Sequence, residues 1–261
     1  MHGLGNDFVV IDARDVAVAM TAARAHAIAD RRTGIGCDQL ILLEPSQVAD
    51  VKMRIFNADG GEVEACGNAT RCIATLLDGP ATIETLGGIL HTTPGEFGAT
   101  VTLMPPAFDW ELIPLAMPMD TRDMPVNWDE LERPAAVNVG NPHVIFFVPD
   151  CDAVDLESLG PIIEHDPLFP QRVNVNVASV AGENHLKLRV WERGVGLTRA
   201  CGTGACATAV AAIRAGIARS PVRVTLPGGD LEIAWEDGTA IEMTGPATLV
   251  FNGETDWDNF G

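Results

Sequence analysis

Only two lysines, Lys52 and Lys187, occur in the 261 residues. Both fall in strand-like segments with no distinctive setting, so nothing marks a Schiff-base site for pyridoxal phosphate. Positive charge is scarce altogether: 17 Lys and Arg face 36 Asp and Glu, a formal net charge of −19. A field of that sign repels phosphate backbones and anionic lipid, which sets aside nucleic acid and membrane surfaces as partners. Long apolar runs are missing too, and none approaches the ~20 residues that span a bilayer. The stretch Met1-His2-Gly3-Leu4-Gly5-Asn6-Asp7-Phe8 has no basic region followed by an apolar one. No export signal is expected, and the cytoplasm is the expected compartment.

Six cysteines are present: Cys37, Cys66, Cys72, Cys151, Cys201 and Cys206. Without an export signal, reduced thiols are favoured over disulfides. Five residues separate Cys66 from Cys72 and four separate Cys201 from Cys206, a poor match to structural zinc pairs. No metal site is expected.

The chain repeats itself. Ala65-Cys66-Gly67-Asn68 matches Ala200-Cys201-Gly202-Thr203, an offset of 135 positions. The same offset sets Arg54-Ile55-Phe56-Asn57 on Arg189-Val190-Trp191-Glu192, Gly5-Asn6 on Gly140-Asn141, and Gln39 on Asn174. Further on, Thr85-Leu86 resembles Thr225-Leu226 and Pro106-Ala107 resembles Pro246-Ala247, a slip of about five positions that is expected in a surface turn. The chain therefore reads as two related halves. One spans residues 1–104, with 246–261 returning to it; the other spans 105–245. A Pro-rich crossing runs between them from about Pro105 to Pro134.

Hydrophobic periodicity places matching elements in both halves. Helices are expected over 21–31 and 154–165, then over 69–77 and 205–213 just after each Cys-Gly step. Strands are expected over 39–43, 51–57, 81–86, 89–93 and 99–104, and over 173–180, 185–192, 222–226, 231–235 and 240–244. Strands outnumber helices without clean βαβ alternation. The expected class is α/β in the α+β sense: two pseudo-symmetric domains, each a mixed or antiparallel sheet wrapped around a central helix.

Such a repeat suits the inversion of a stereocentre. One group takes a proton from one face of a carbon while another supplies a proton to the opposite face, and a thiolate–thiol pair does both. An interdomain cleft is the expected place. Each cysteine precedes a helix, whose N-terminal N–H groups and dipole are expected to lower the thiol pKa. The same donors, from Gly67, Asn68, Gly202 and Thr203, suit a carboxylate. A lone cysteine before a helix is usually a small core residue; recurrence at one offset favours function for Cys66 and Cys201. Cys72 and Cys206 read as core, and Cys37 and Cys151 receive no role.

The segments His2-Gly3-Leu4-Gly5-Asn6-Asp7-Phe8, Phe56-Asn57-Ala58-Asp59-Gly60, Ala65-Cys66-Gly67-Asn68, Gly140-Asn141-Pro142-His143, Arg172-Val173-Asn174, Glu192-Arg193-Gly194, Ala200-Cys201-Gly202-Thr203-Gly204 and Thr244-Gly245-Pro246-Ala247 resemble the diaminopimelate epimerase family over nearly the whole chain. The resemblance implies conversion of LL-diaminopimelate to the meso form, for lysine and peptidoglycan synthesis, without cofactor or metal. It implies Cys66 and Cys201 as the acid/base pair and Gly67, Asn68, Gly202 and Thr203 as the carboxylate cradle. Asn6, Gln39, Asn57, Asn141, Asn174, Glu192 and Arg193 are implied as substrate contacts, with His143 and Glu192 adjusting the cysteine pKa values. Arg193 suits the distal carboxylate, which it can grip bidentately. The chain departs from the family in having Ala69-Thr70 where Gly-Ala is common. It has no tyrosine, and Phe251 stands where the family has a tyrosine linked to dimerisation; a homodimer is still expected. Two other readings stay open: a related two-cysteine racemase acting on another amino acid, such as proline, and a non-catalytic metal- or redox-active cysteine protein.

Overall fold

The computed structural model describes residues 1–64 and 66–260. Ala65, which opens the first Ala-Cys-Gly step, and Gly261, the end of the returning segment, lie outside the described residues. Two compact units are resolved, one of Met1–Thr102 with Thr244–Gly261 and the other of Leu103–Met243. Among the described residues, no helix is long and apolar enough to cross a membrane.

The first unit runs β1 (His2–Gly3), β2 (Asn6–Asp12), α1 (Ala22–Ala29), β3 (Gln39–Glu44), β4 (Val51–Asn57), β5 (Glu62–Val63), α2 (Gly67–Ala74), β6 (Ala81–Thr85), β7 (Gly88–Gly95) and β8 (Gly98–Leu103). Its strands lie in the order β1-β2-β3-β4-β6-β7-β8, with β5 beside β4. The pairs β2–β3 and β4–β6 are parallel. Leu4 and Gly5 take φ values of 57° and 89° between β1 and β2, as a two-residue hairpin turn with two left-handed positions requires. That turn sets the position of Asn6. Strand β3 is buried on both faces: Leu40 and Leu42 pack with Ala25 and Ile28 of α1, Ile41 and Leu43 with Ala69 and Ile73 of α2. Each such leucine or isoleucine contributes about 1.5–3 kcal/mol by leaving water.

The second unit runs β9 (Asn127–Trp128), β10 (Leu131–Glu132), β11 (Ala135–Asn138), β12 (Pro142–Phe147), α3 (Leu156–Glu164), β13 (Asn174–Gly182), β14 (His185–Glu192), β15 (Gly196–Thr198), α4 (Gly202–Arg214), β16 (Val222–Leu226), β17 (Gly229–Ala234) and β18 (Ile241–Gly245). Its strand order is β11-β12-β13-β14-β16-β17-β18, with β15 beside β14 and β9–β10 a separate hairpin. Helix α4 is buried from Gly204 to Ala212 and packs on β11, β12, β13, β14, β16 and β17. The Pro-rich crossing is part of this unit, since Ile113, Leu115, Met124 and Leu131 are buried with Leu156, Leu159 and Ile163.

The repeat is written into strand register. Phe8 pairs with Gln39 and His143 with Asn174; Leu40 pairs with Phe56 and Val175 with Trp191. All four correspond at an offset of 135. Val51 pairs with Ile83 and Leu186 with Val224, so the later offset is 141, a slip of six positions, in line with the expected slip of about five. Two expectations need correction. The added residues lie mainly in a helix rather than a surface turn: α2 has 8 residues and α4 has 13. The alanine-rich run of α4 favours continuation, whereas Gly79 (φ 143°) and Pro80 follow closely on α2 and prevent it. Five extra residues lengthen a helix by about 7.5 Å at its far end and leave the N-terminus in place. The helices also start earlier than 69 and 205, directly after each cysteine, because the glycines there carry no apolar signal.

Candidate active site

In the first unit Cys66 is the N-cap residue of α2, with φ −147° and ψ 109°. Its Sγ lies 3.8 Å from Asn6 Oδ1, which also accepts from Asn68 Nδ2 at 3.3 Å. The Asn68 amide is oriented from below, where the wholly buried Arg71 donates to its Oδ1 at 2.7 Å. Asn6 Nδ2 donates to Asp38 at 3.1 Å, and Asp38 is held by Arg31 at 2.8 Å. Gln39 Nε2 donates to Asn57 Oδ1 at 2.9 Å. The unit thus brings Cys66, Asn6, Gly67 and Asn68 together at one helix end, with Gln39 and Asn57 paired across β3 and β4.

In the second unit Cys201 caps α4, its Sγ accepting from the Gly204 N–H at 3.4 Å and lying 3.6 Å from Thr203 Oγ1. Its pKa corrects an expectation. The helix end and Thr203 do favour the thiolate, but burial and the neighbouring Glu192 carboxylate outweigh them and push the thiol well above its ordinary value. Glu192 is itself raised by burial and accepts from Thr198 Oγ1 at 2.5 Å. Cys201 therefore rests as a thiol beside a half-buried carboxyl group. Removing that charge in Glu192→Gln is expected to lower the Cys201 pKa toward the ordinary thiol range. Ultraviolet thiolate absorbance during a pH titration, referenced to Cys201→Ala, reads this directly. An unmoved midpoint would contradict the assigned coupling.

Asn174 is buried, and both ends of its amide are taken by backbone: Nδ2 donates to Pro142 O at 2.8 Å and Oδ1 accepts from Arg193 N at 2.9 Å. Glu164, 2 % exposed, accepts from Gly194 N–H at 2.9 Å and Trp191 Nε1 at 2.8 Å. Asn174 and Glu164 brace the turn that presents the exposed Arg193, whose Nη1 donates to Gln171 O at 3.1 Å. His143 is fully buried and pushed down to about 3, by burial first and by the Arg193 charge in addition. It stays neutral at working pH. Its Nε2 lies 2.9 Å from Asn141 Oδ1, and its Nδ1 lies 3.1 Å from Asn176 Nδ2. Asn176 Oδ1 is buried with no hydrogen bond, at a cost of about 1–3 kcal/mol.

The other cysteines behave as core. Cys37, Cys72, Cys151 and Cys206 are buried, and burial pushes the Cys72 thiol up to about 11. Among the described residues, no three His, Cys, Asp or Glu side chains converge as metal ligands. The residues that sequence reading passed over are Asp38, Arg71, Glu164, Asn176 and Thr198. None has a like residue at the repeat offset, and that match was the signal being sought.

Solved proteins share this fold. A PhzF-family phenazine biosynthesis protein of Enterococcus faecalis superposes with a TM-score of 0.68 at 15% identity, covering 97% of this chain and 93% of that one. A probable proline racemase of Agrobacterium radiobacter gives 0.63 at 16% identity, covering 93% and 87%. At such identities the likeness is one of fold, and it sets the chain in the class of two-unit α+β proteins to which these belong. Sequence carries the assignment further. The diaminopimelate epimerase profile matches residues 1–105 and 135–250, leaving out the segment that carries the β9–β10 hairpin. The diaminopimelate epimerase of Sphingopyxis alaskensis is 77% identical over 261 residues, 100% of this chain and 97% of that protein. The chain belongs to the diaminopimelate epimerase family.

Proposed function

We propose that the chain interconverts LL- and meso-diaminopimelate with two sulfurs and no cofactor. The observation that carries this reading is that Cys66 and Cys201 each occupy the N-cap of a helix at equivalent positions of two units with the same strand register. In the LL-to-meso direction one sulfur, as thiolate, accepts the α-proton. The carbanion then takes the proton of the other sulfur on its opposite face, and the two sulfurs finish with their roles exchanged. The raised pKa of Cys201 supports it as the thiol at rest, with Cys66 receiving the proton in the complementary step.

The N–H groups at each helix start lack partners within the helix. Gly67 and Asn68 on α2 and Gly202 and Thr203 on α4 are assigned to the substrate's reacting carboxylate. Each helix end favours the charge that develops there by about 0.3–1 kcal/mol, and more where water is excluded. Arg193, braced by Asn174 and Glu164, is assigned to the distal carboxylate. Asn6, Gln39, Asn57 and Asn141 are assigned to the amino and carboxylate groups between. Glu192 sets the protonation of Cys201. A cytoplasmic homodimer is the accompanying reading, supported by the exposed apolar run Leu249, Val250 and Phe251; sedimentation of the purified chain tests it.

Incubation with LL-diaminopimelate in D2O tests the function. Meso product carrying one solvent deuterium at the inverted carbon is expected. Deuterium uptake by L-proline with none by LL-diaminopimelate would replace this reading with that of a proline racemase.

A further inference from the structure

The two units solve one packing problem in different ways. At the offset that relates them, Phe8 corresponds to His143 and Ile41 to Asn176. In the first unit Phe8 and Ile41 lie in one apolar cluster with Ala69 and Cys72 of α2. In the second unit the same two positions, both wholly buried, hold a hydrogen-bonded histidine and asparagine. The fold closes over this spot with apolar side chains in one unit, so packing alone does not call for polar ones in the other. Asn176 lies against the start of α4: a Cβ added to Gly204 would meet Asn176 Oδ1 at 2.7 Å and Cys201 Sγ at 3.2 Å.

The direction of the Asn176 amide is set by backbone. Its Nδ2 donates to Val144 O at 3.0 Å and approaches Asn174 O at 3.4 Å. Reversal would set Oδ1 against two carbonyl oxygens. With Nδ2 fixed as donor, His143 Nδ1 must be the unprotonated ring nitrogen, so Nε2 carries the proton. That proton is donated to Asn141 Oδ1, which turns the Asn141 amide so that its Nδ2 makes no hydrogen bond among the described residues. The counterpart Asn6 has its amide taken up differently, with Nδ2 on Asp38 and Oδ1 beside Cys66.

We propose that Asn176 is a positioning residue that works through His143: it fixes the ring tautomer and thereby locks Asn141 as an N–H donor toward substrate. His143 is then an uncharged relay of hydrogen-bond direction, not a proton carrier. The stability lost by leaving Asn176 Oδ1 unbonded maintains a donor of fixed polarity. The inference rests on the reading of Asn141 as a substrate contact, but its first half concerns only Asn176 and His143.

Ring nitrogen NMR of 15N-histidine-labelled protein, with the His143 signals assigned by loss in His143→Gln, tests that half without substrate. The wild type is expected to show His143 neutral, protonated at Nε2. In Asn176→Asp the side chain keeps its shape and loses its N–H donors, so the ring proton of His143 is expected to move from Nε2 to Nδ1, which leaves Nε2 an acceptor facing Asn141. Asn176→Ile, which copies the first unit's solution, is expected to leave the ring neutral with mixed tautomers. In either variant KM for LL-diaminopimelate is expected to rise about 10-fold, the loss of one hydrogen bond to a charged group, with kcat changing less. A wild-type ring protonated at Nδ1 would overturn the proposal, as would variants with unaltered ring states. A switched tautomer with unchanged KM would overturn the link through Asn141 and leave the epimerase reading intact. Absence of epimerisation in the wild type would remove that reading while the spectra still decide the role of Asn176.

Discussion

Alanine at Cys66 is expected to slow inversion of LL-diaminopimelate by about 10²–10⁴-fold, and alanine at Cys201 by the same order, the usual contribution of one positioned acid or base. The loss should fall on kcat, because neither sulfur is assigned to hold the ground-state substrate. The two variants should differ in what they retain. A surviving sulfur still reaches one face, so it can remove a proton, exchange it with solvent and return a deuteron to the same side. Cys66→Ala is therefore expected to wash deuterium into only one of the LL and meso substrates, and Cys201→Ala into only the other. A collapsed site would lose exchange with both. Folding gives a separate control: Cys201 Sγ accepts from the Gly204 N–H, so Cys201→Ala should cost about 1 kcal/mol of cap, far too little to unfold a chain of this size. Inversion at wild-type rate in either variant would take that sulfur out of the mechanism.

The offset of 135 was legible because identical or chemically alike residues sit where strand register demands them. Gln39 and Asn174 match, as do Gly5-Asn6 and Gly140-Asn141, and the sheets pair at the same positions. What escaped was of two kinds. Burial depends on the whole fold, so the local argument that a helix end lowers the Cys201 pKa could not see the covering that excludes water, and Glu192 entered only through the family resemblance. Repeat-matching is also blind where the halves differ. Asn176 stands opposite Ile41, and Arg71 opposite Cys206, so neither drew attention, although Arg71 orients Asn68 beneath the N-cap cysteine and Asn176 holds His143. A signal did exist for Asn176. Asn174 and Asn176 lie two apart on the strand Asn174-Val175-Asn176-Val177, which puts two amides on one face of an otherwise apolar element. The helix insertion escaped for a simpler reason: extra alanines continue a helical pattern without any mark in composition.

Acid is expected to weaken the fold through His143, and the size of the effect follows from its burial. The ring is held neutral when folded, its pKa pushed from an ordinary 6.5 down to about 3. The unfolded chain takes up the proton near pH 6.5 and the folded one does not until near pH 3. Stability attributable to this group is therefore whole above the unfolded pKa and falls steadily as pH drops between the two values. The loss is on the order of 2 kcal/mol between about pH 7 and pH 5, growing to about 5 kcal/mol at the acid limit. Carboxylates across the molecule also titrate in acid, so the wild type alone does not isolate the term. His143→Gln does, because glutamine keeps amide hydrogen bonding at the buried position and carries no titrating group. Urea unfolding of both proteins at about pH 7 and pH 5 should show the variant less stable at neutral pH, where it loses the fitted ring, yet losing about 2 kcal/mol less on acidification. Parallel losses in the two proteins would mean that His143 is protonated in the fold at mild acidity, and the neutral relay from Asn176 to Asn141 would fail with it.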